Sequence, residues 1–210
     1  MAWADVWGGA GGAAAILVVA FLVGAIPFSN LAAHRLRDVD LRDVGSGTVS
    51  GTALYRVTGF VPLAVTGLCD IGKGTVGPLL AHDRPALAAI AGGVAVAGHN
   101  WSPFLRGAGG RGLATAMGAL AVTAWPGTLL LLLGLALGRL ARHTGLGSFV
   151  AIVALPAVLA VTDGAGGALA GTAVAVPMLV KRLTGNAAPD PPLVRTLSSR
   201  LVFDRDPVPA

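Results

Sequence analysis

The stretch from Leu113 to Leu140, LATAMGALAVTAWPGTLLLLLGLALGRL, carries no charge before Arg139 and one strong break, at Trp125-Pro126-Gly127. A helix needs roughly 17 to 25 apolar residues to cross hydrocarbon, so the stretch is either two short spans back to back or one kinked span. Flanking charge separates these readings, because basic residues collect on the cytoplasmic side of membrane proteins. Two spans leave Arg139 and Arg142 on the side that holds Arg35, Arg37, Arg42, Arg56, Arg106, Arg111, Lys181, Arg182, Arg195, Arg200 and Arg205, with only Arg84 opposite. One merged span would carry Arg139 and Arg142 across. The charges therefore favour two, and a six-span bundle with a merged helix is the alternative.

Outward from there, five further apolar runs read as spans: Gly12 to Asn30, Gly59 to Ala81, Ala86 to Phe104, Leu146 to Thr162 and Ala165 to Val180, alongside Leu113 to Ala124 and Pro126 to Leu140. The expected fold is all-α, a polytopic membrane helical bundle of seven transmembrane helices, N-out and C-in. Composition agrees: 54% hydrophobic against 12% charged residues leaves too little polar surface for a soluble chain of 210 residues. Its apolar mass is mostly Ala, Leu, Val and Gly, and small residues let helices approach closely in lipid. The basic balance is compatible with nucleic acid, lipid headgroups or anionic substrates; its confinement to cytoplasmic loops points to membrane lipids and anionic substrates, with no nucleic acid partner. Cys69, alone in an apolar run, reads as a structural thiol. The first run lacks a basic leader and a cleavage site and reads as a retained helix. Residues 1–183 form the membrane domain, and 184–210, with Pro189-Asp190-Pro191-Pro192, read as a disordered cytoplasmic tail without a catalytic part.

Two cytoplasmic segments have compositions that lipid burial does not require. The first runs DLRDVGSGTVSGT from Asp40 to Thr52, with Arg56 beyond it. Glycines such as Gly45 and Gly47 let successive N–H groups turn toward one point, and Ser46, Thr48, Thr52 and Arg56 complete an oxyanion cradle. The second, GHNWSPFLRGAGGRGLAT from Gly98 to Thr115, leads through Gly109, Gly110, Arg111 and Gly112 into a helix N-terminus, an arrangement that binds anions. His99 lies at the end of a span, where a titratable ring is costly unless bonded or used. Asp70 and Lys73, three apart, share a helix face inside the second span and can pair, for packing or for function. Ser148 alone would pass as a helix-start hydroxyl. None of the four histidines has a second ligand at metal spacing, so no metal site is expected, and neither a Gly-x-Ser-x-Gly elbow nor a Walker loop is present.

These residues together resemble the bacterial PlsY family of acyl-phosphate:glycerol-3-phosphate acyltransferases. The resemblance rests on GAIPFSNLAA, DLRDVGSG followed by Thr52 and Arg56, DIGKG, AGHNWSPF, GGRGLATAMG and KRLTG, in order and at matching spacing up to about Gly185. It implies a seven-helix, N-out enzyme of the bacterial inner membrane, with its site at the cytoplasmic face and no cofactor. Its substrates would be acyl phosphate and glycerol 3-phosphate, its products lysophosphatidate and phosphate. By resemblance Ser46 and Arg56 hold a phosphate, Arg111 stands where the family has a lysine, and Ser148 matches a hydroxyl position. The chain departs from the family pattern at Thr48 and Ala53, which replace asparagines, and at Val176 to Leu179, which replace a His-Arg-x-Asn group. Those departures leave a second expectation open, a paralogue that binds or transports an anionic lipid without turnover, and a third, transfer to another acceptor.

Overall fold

The computed structural model describes residues 9–45, 47–189 and 191–205. Its regular elements are all helices: α1 (Ala10–Gly24), α2 (Phe28–Arg37), α3 (Gly51–Thr58), α4 (Phe60–Leu80), α5 (Pro85–Asn100), α6 (Leu113–Thr123), α7 (Trp125–Leu140), α8 (Thr144–Thr184) and α9 (Leu193–Phe203). Two 3-10 turns, Leu41–Asp43 and Pro103–Leu105, sit in the loops.

The stretch around Trp125 is a hairpin. Ala124 leaves the helical region at φ −164°, ψ 76°, and Pro126 opens α7, where a missing N–H costs nothing. Thr128 then donates to the Met117 carbonyl at 2.8 Å. In one continuous helix residues 11 apart would be separated by roughly 16 Å along the axis, so α6 and α7 fold back on each other. Gly164 does the same inside α8: its φ of 67° and ψ of −151° break the helix, and beyond it Gly171 lies against the Leu155 carbonyl. The helices expected from Leu146 to Thr162 and from Ala165 to Val180 are the two halves of α8.

The interior is built by small residues. α4 crosses α6 where Gly74 faces the Thr115 carbonyl and Gly118 faces the Ile71 carbonyl, leaving no room for a Cβ on either glycine. Without a hydrophobic force between helices in lipid, such close backbone contact supplies the packing. Gly118→Val is expected to cost about 1 to 3 kcal/mol through overpacking, read as a lowered unfolding temperature in detergent. A core of Val96, Met117, Leu120, Leu131, Ile152, Leu155, Leu159 and Met178 joins α5 through α8. The outward faces stay apolar, with Phe60, Leu68, Leu140 and Val161 largely exposed.

The first span is interrupted between Gly24 and Phe28, which frees carbonyls that an unbroken helix would satisfy. Ser102 donates to the Ala25 carbonyl at 2.7 Å, and the Lys73 amine donates to Ile26 at 2.7 Å.

The tail differs from expectation. Its residues Leu193–Phe203 are helical, α9 packs on α8, and Thr196 and Arg200 are buried. Arg200 ties the segment down through the Ala187 carbonyl at 3.1 Å and the Ala188 carbonyl at 3.3 Å. The proline-rich stretch before it hid a helix whose buried side, Thr196 and Arg200, has a partner only in the folded molecule.

Candidate active site

The two glycine-rich segments meet. Asp40 caps the first by accepting from the Arg42 backbone at 2.9 Å, and the Arg42 guanidinium closes on the same carboxylate at 2.6 Å, holding the Asp40 carboxyl well below the usual range. Arg42 is therefore committed to the loop. Gly45 and Gly47 have φ of 60° and 67°, conformations that suit glycine. Ser46, between them, lies outside the described residues. The segment ends where Ser50 caps α3 by accepting from Ala53 at 3.3 Å, and Arg56 projects from that helix, exposed.

The Val49 amide of the first segment donates to the Gly109 carbonyl of the second at 3.2 Å, and within the second the Gly110 amide donates to the His99 carbonyl at 3.2 Å. Gly110 has no room for a Cβ because the His99 ring packs against it. Gly112, at φ 76°, caps α6 and turns Arg111 away from the helix axis. One side chain outside both segments knits them: the Asn186 amide nitrogen donates to the Gly47 carbonyl at 3.0 Å and to the Gly109 carbonyl at 2.9 Å, while its oxygen accepts from the Gly109 amide at 3.2 Å. Three bonds from one amide make the loops a single unit. Asn186→Ala is expected to lower kcat/KM about tenfold, since each such bond contributes on the order of 1 kcal/mol net. Steady-state kinetics with both substrates would check it.

The walls of a cavity of about 670 Å³ bring most of the expected site residues together. Thr48, Thr52 and Arg56 come from the first segment, His99, Arg111 and Gly112 from the second, and Asp70 and Ser148 from α4 and α8. Gly109 and Gly110 line a smaller neighbouring cavity, and Gly45 and Gly47 support the loop without lining either. The Asp70–Lys73 pair is formed at 2.7 Å and buried; His99 Nδ1 is 3.8 Å from Asp70, beyond hydrogen-bond reach. Lys73 also lies 5.6 Å from the Phe28 ring centre. Its amine is thus held between Asp70, the Ile26 carbonyl and the Phe28 ring.

Sequence reasoning missed three basic or acidic groups. Arg182, buried at the end of α8, donates to the Ser148 hydroxyl at 2.7 Å, to Gly145 at 3.1 Å and to the Leu201 carbonyl at 2.9 Å. Lys181, also buried, sits 5.4 Å from the Trp101 ring centre. Asp204, just past α9, reaches Arg111 Nε at 2.6 Å, while Arg111 Nη1 donates to the Lys181 carbonyl at 2.9 Å. Lys181 and Arg182 stood in the quoted KRLTG string but otherwise read only as loop charges that set the orientation. Nothing in the sequence signalled Asn186 or Asp204, because both lie beyond the last apolar run.

Leu113, Met117, Leu135, Ile152 and Met178 line the same cavity as Arg56, Arg111 and Arg182. A wall that combines cations with apolar side chains suits an amphiphilic anion.

Residues 14–187 match the family model described as glycerol-3-phosphate acyltransferase. Relatives with that name include one from Chlorobaculum tepidum, 38% identical over 70% of this chain and 70% of its own length, and one from Synechococcus, 35% identical over 81% and 88%. A third, from Moorella thermoacetica, named glycerol-3-phosphate acyltransferase 2, is 42% identical over 67% and 74%. The fold matches a crystal structure of PlsY, an integral membrane glycerol 3-phosphate acyltransferase, in its glycerol 3-phosphate form. The TM-score is 0.75 at 25% identity, covering 90% of this chain and 93% of that one. A matching family model over most of the chain, relatives matched over two thirds or more of their length and the shared helical fold together place the chain in the glycerol-3-phosphate acyltransferase family of integral membrane proteins.

Proposed function

We propose that this chain transfers a fatty acyl group from acyl phosphate to the 1-hydroxyl of glycerol 3-phosphate, giving lysophosphatidate and inorganic phosphate for phospholipid synthesis. The observation that carries the reading is one cavity lined both by Arg56, Arg111 and Arg182 and by apolar side chains such as Met117, Leu135 and Ile152. Acyl phosphate and lysophosphatidate are both long-chain anions, and glycerol 3-phosphate needs only the cations. In the proposed topology seven helices cross a bacterial inner membrane, the N-terminus lies outside, and the cavity's arginines face the cytoplasm, where both soluble substrate and basic loops reside.

An acyl phosphate is a mixed anhydride with a good leaving group, so positioning and charge neutralisation supply much of the rate. The Ser46 loop and Arg56 hold the phosphate of the acceptor, and Arg111 at the α6 N-terminus faces phosphate oxygens. Glycerol oxygen forms a bond to the acyl carbon, the bond from that carbon to the bridging oxygen breaks, and phosphate leaves with the electron pair. The hydroxyl proton passes to the departing phosphate or to water. His99 orients the second loop from beneath Gly110. No covalent enzyme intermediate is required.

Purified protein in detergent should release phosphate from acyl phosphate only when glycerol 3-phosphate is supplied, with lysophosphatidate as product. Release without acceptor, or none with both substrates, counts against the reading. A second reading, binding of an anionic lipid without turnover, draws on Val176 to Leu179, which bring no polar group to the last half-helix. Saturable binding of lysophosphatidate together with absent turnover would select it.

A further inference from the structure

We propose that Asp204 is a resident competitor of the anion site, a carboxylate from the C-terminal segment that occupies Arg111 until a phosphate displaces it and so sets the affinity for phosphorylated substrate. The proposal rests on the cavity being the substrate site. It concerns a segment outside the family match, which ends at residue 187.

Three observations carry it. First, the Asp204 carboxylate lies 2.6 Å from Arg111 Nε and lines the same cavity as Arg56 and Ser148, so it holds a cation that the reaction needs for an anionic substrate. Second, the segment is docked. Phe203 lines the cavity beside Asp204, and Arg182 Nη1 grips the Leu201 carbonyl at 2.9 Å. Gly145 leaves the space into which the Phe203 carbonyl fits. Third, Asp204 ends α9 in the left-handed region, φ 55° and ψ 39°, a conformation that acidic and amide side chains tolerate better than most and that marks a terminus. A carboxylate and a phosphate monoester can each pair with the same guanidinium, so one in place opposes the other. Burial pushes the Asp204 carboxyl up from its ordinary value, and the Arg111 and Arg182 charges oppose that rise.

A carboxylate holding Arg111 purely as scaffold would leave substrate binding indifferent to its charge. A competitor makes binding tighter when its charge is removed. Two measurements on full-length protein in detergent test this. In Asp204→Asn, the KM for glycerol 3-phosphate and the dissociation constant for inorganic phosphate, measured by calorimetry, should both fall about fivefold, the scale of one partly exposed ion pair, with the change carried by KM. Asp204→Glu should stay near the unsubstituted protein. Unchanged or weaker phosphate binding, or a fall in kcat at constant KM, overturns the proposal and makes Asp204 a support for Arg111. In the unsubstituted protein, saturating inorganic phosphate should speed amide hydrogen exchange in 193–203; unchanged exchange there also overturns it. If acyl transfer itself is absent, the proposed reaction fails, while the phosphate-binding comparison still decides the role of Asp204.

Discussion

Arg111→Ala should lower kcat/KM for glycerol 3-phosphate by about a thousandfold while the protein still folds. Its guanidinium faces the cavity from the α6 N-terminus, where free N–H groups and the helix dipole already favour an anion. Removing one preorganised charge or donor from a developing oxyanion typically costs on the order of 10² to 10³ in rate, and a low-dielectric site raises the stakes. Arg111→Lys retains the charge but loses the planar fork that spans Asp204 and the Lys181 carbonyl, so it should recover only part of the loss. Phosphate release under subsaturating acceptor gives the ratio directly, and Arg56→Ala should behave alike. Near-normal turnover in both alanine variants would remove the arginines from the mechanism.

Lys73→Met should destabilise the protein by about 3 to 5 kcal/mol, the usual effect of stranding one member of a buried ion pair. The amine satisfies the Asp70 carboxylate and the Ile26 carbonyl at once, both at 2.7 Å. Without it, a carboxylate and a helix-break carbonyl are left in a buried, poorly solvated place. Adding Asp70→Asn should recover a large part of the loss, because the pair is replaced rather than broken. Thermal unfolding of the single and double variants in one detergent would show it; equal destabilisation by both would mean that the Ile26 contact, not the charge pair, is what matters.

Most helices were legible as apolar runs set off by charged residues, glycine or proline. That reading separated α6 from α7, and the Thr128–Met117 bond shows the hairpin between them. It also found the two glycine-rich segments, since Gly45, Gly47 and Gly112 stand where a positive φ is used. What it could not find was whatever depends on a distant partner. Asn186 looks like any polar residue after a helix until Gly47 and Gly109 are folded beside it. Asp204 lay in a proline-flanked tail, where composition favours disorder, and the packing that orders α9 comes from α8. The Asp70–Lys73 pair was legible as a pair, but its task was not, because the carbonyl that it satisfies belongs to a break 47 residues earlier.

The Asn186 side chain that bridges the two loops has a practical side for anyone trimming the gene. A C-terminal truncation drawn by hydropathy at Val180 would look harmless, since every apolar run would survive. It would discard Lys181, Arg182 and Asn186, and with them the lock between Gly47 and Gly109. Such a protein could insert in a membrane and still have its glycine-rich loops joined by little more than the Val49–Gly109 bond, so expression level would be a poor guide to whether the boundary was well chosen.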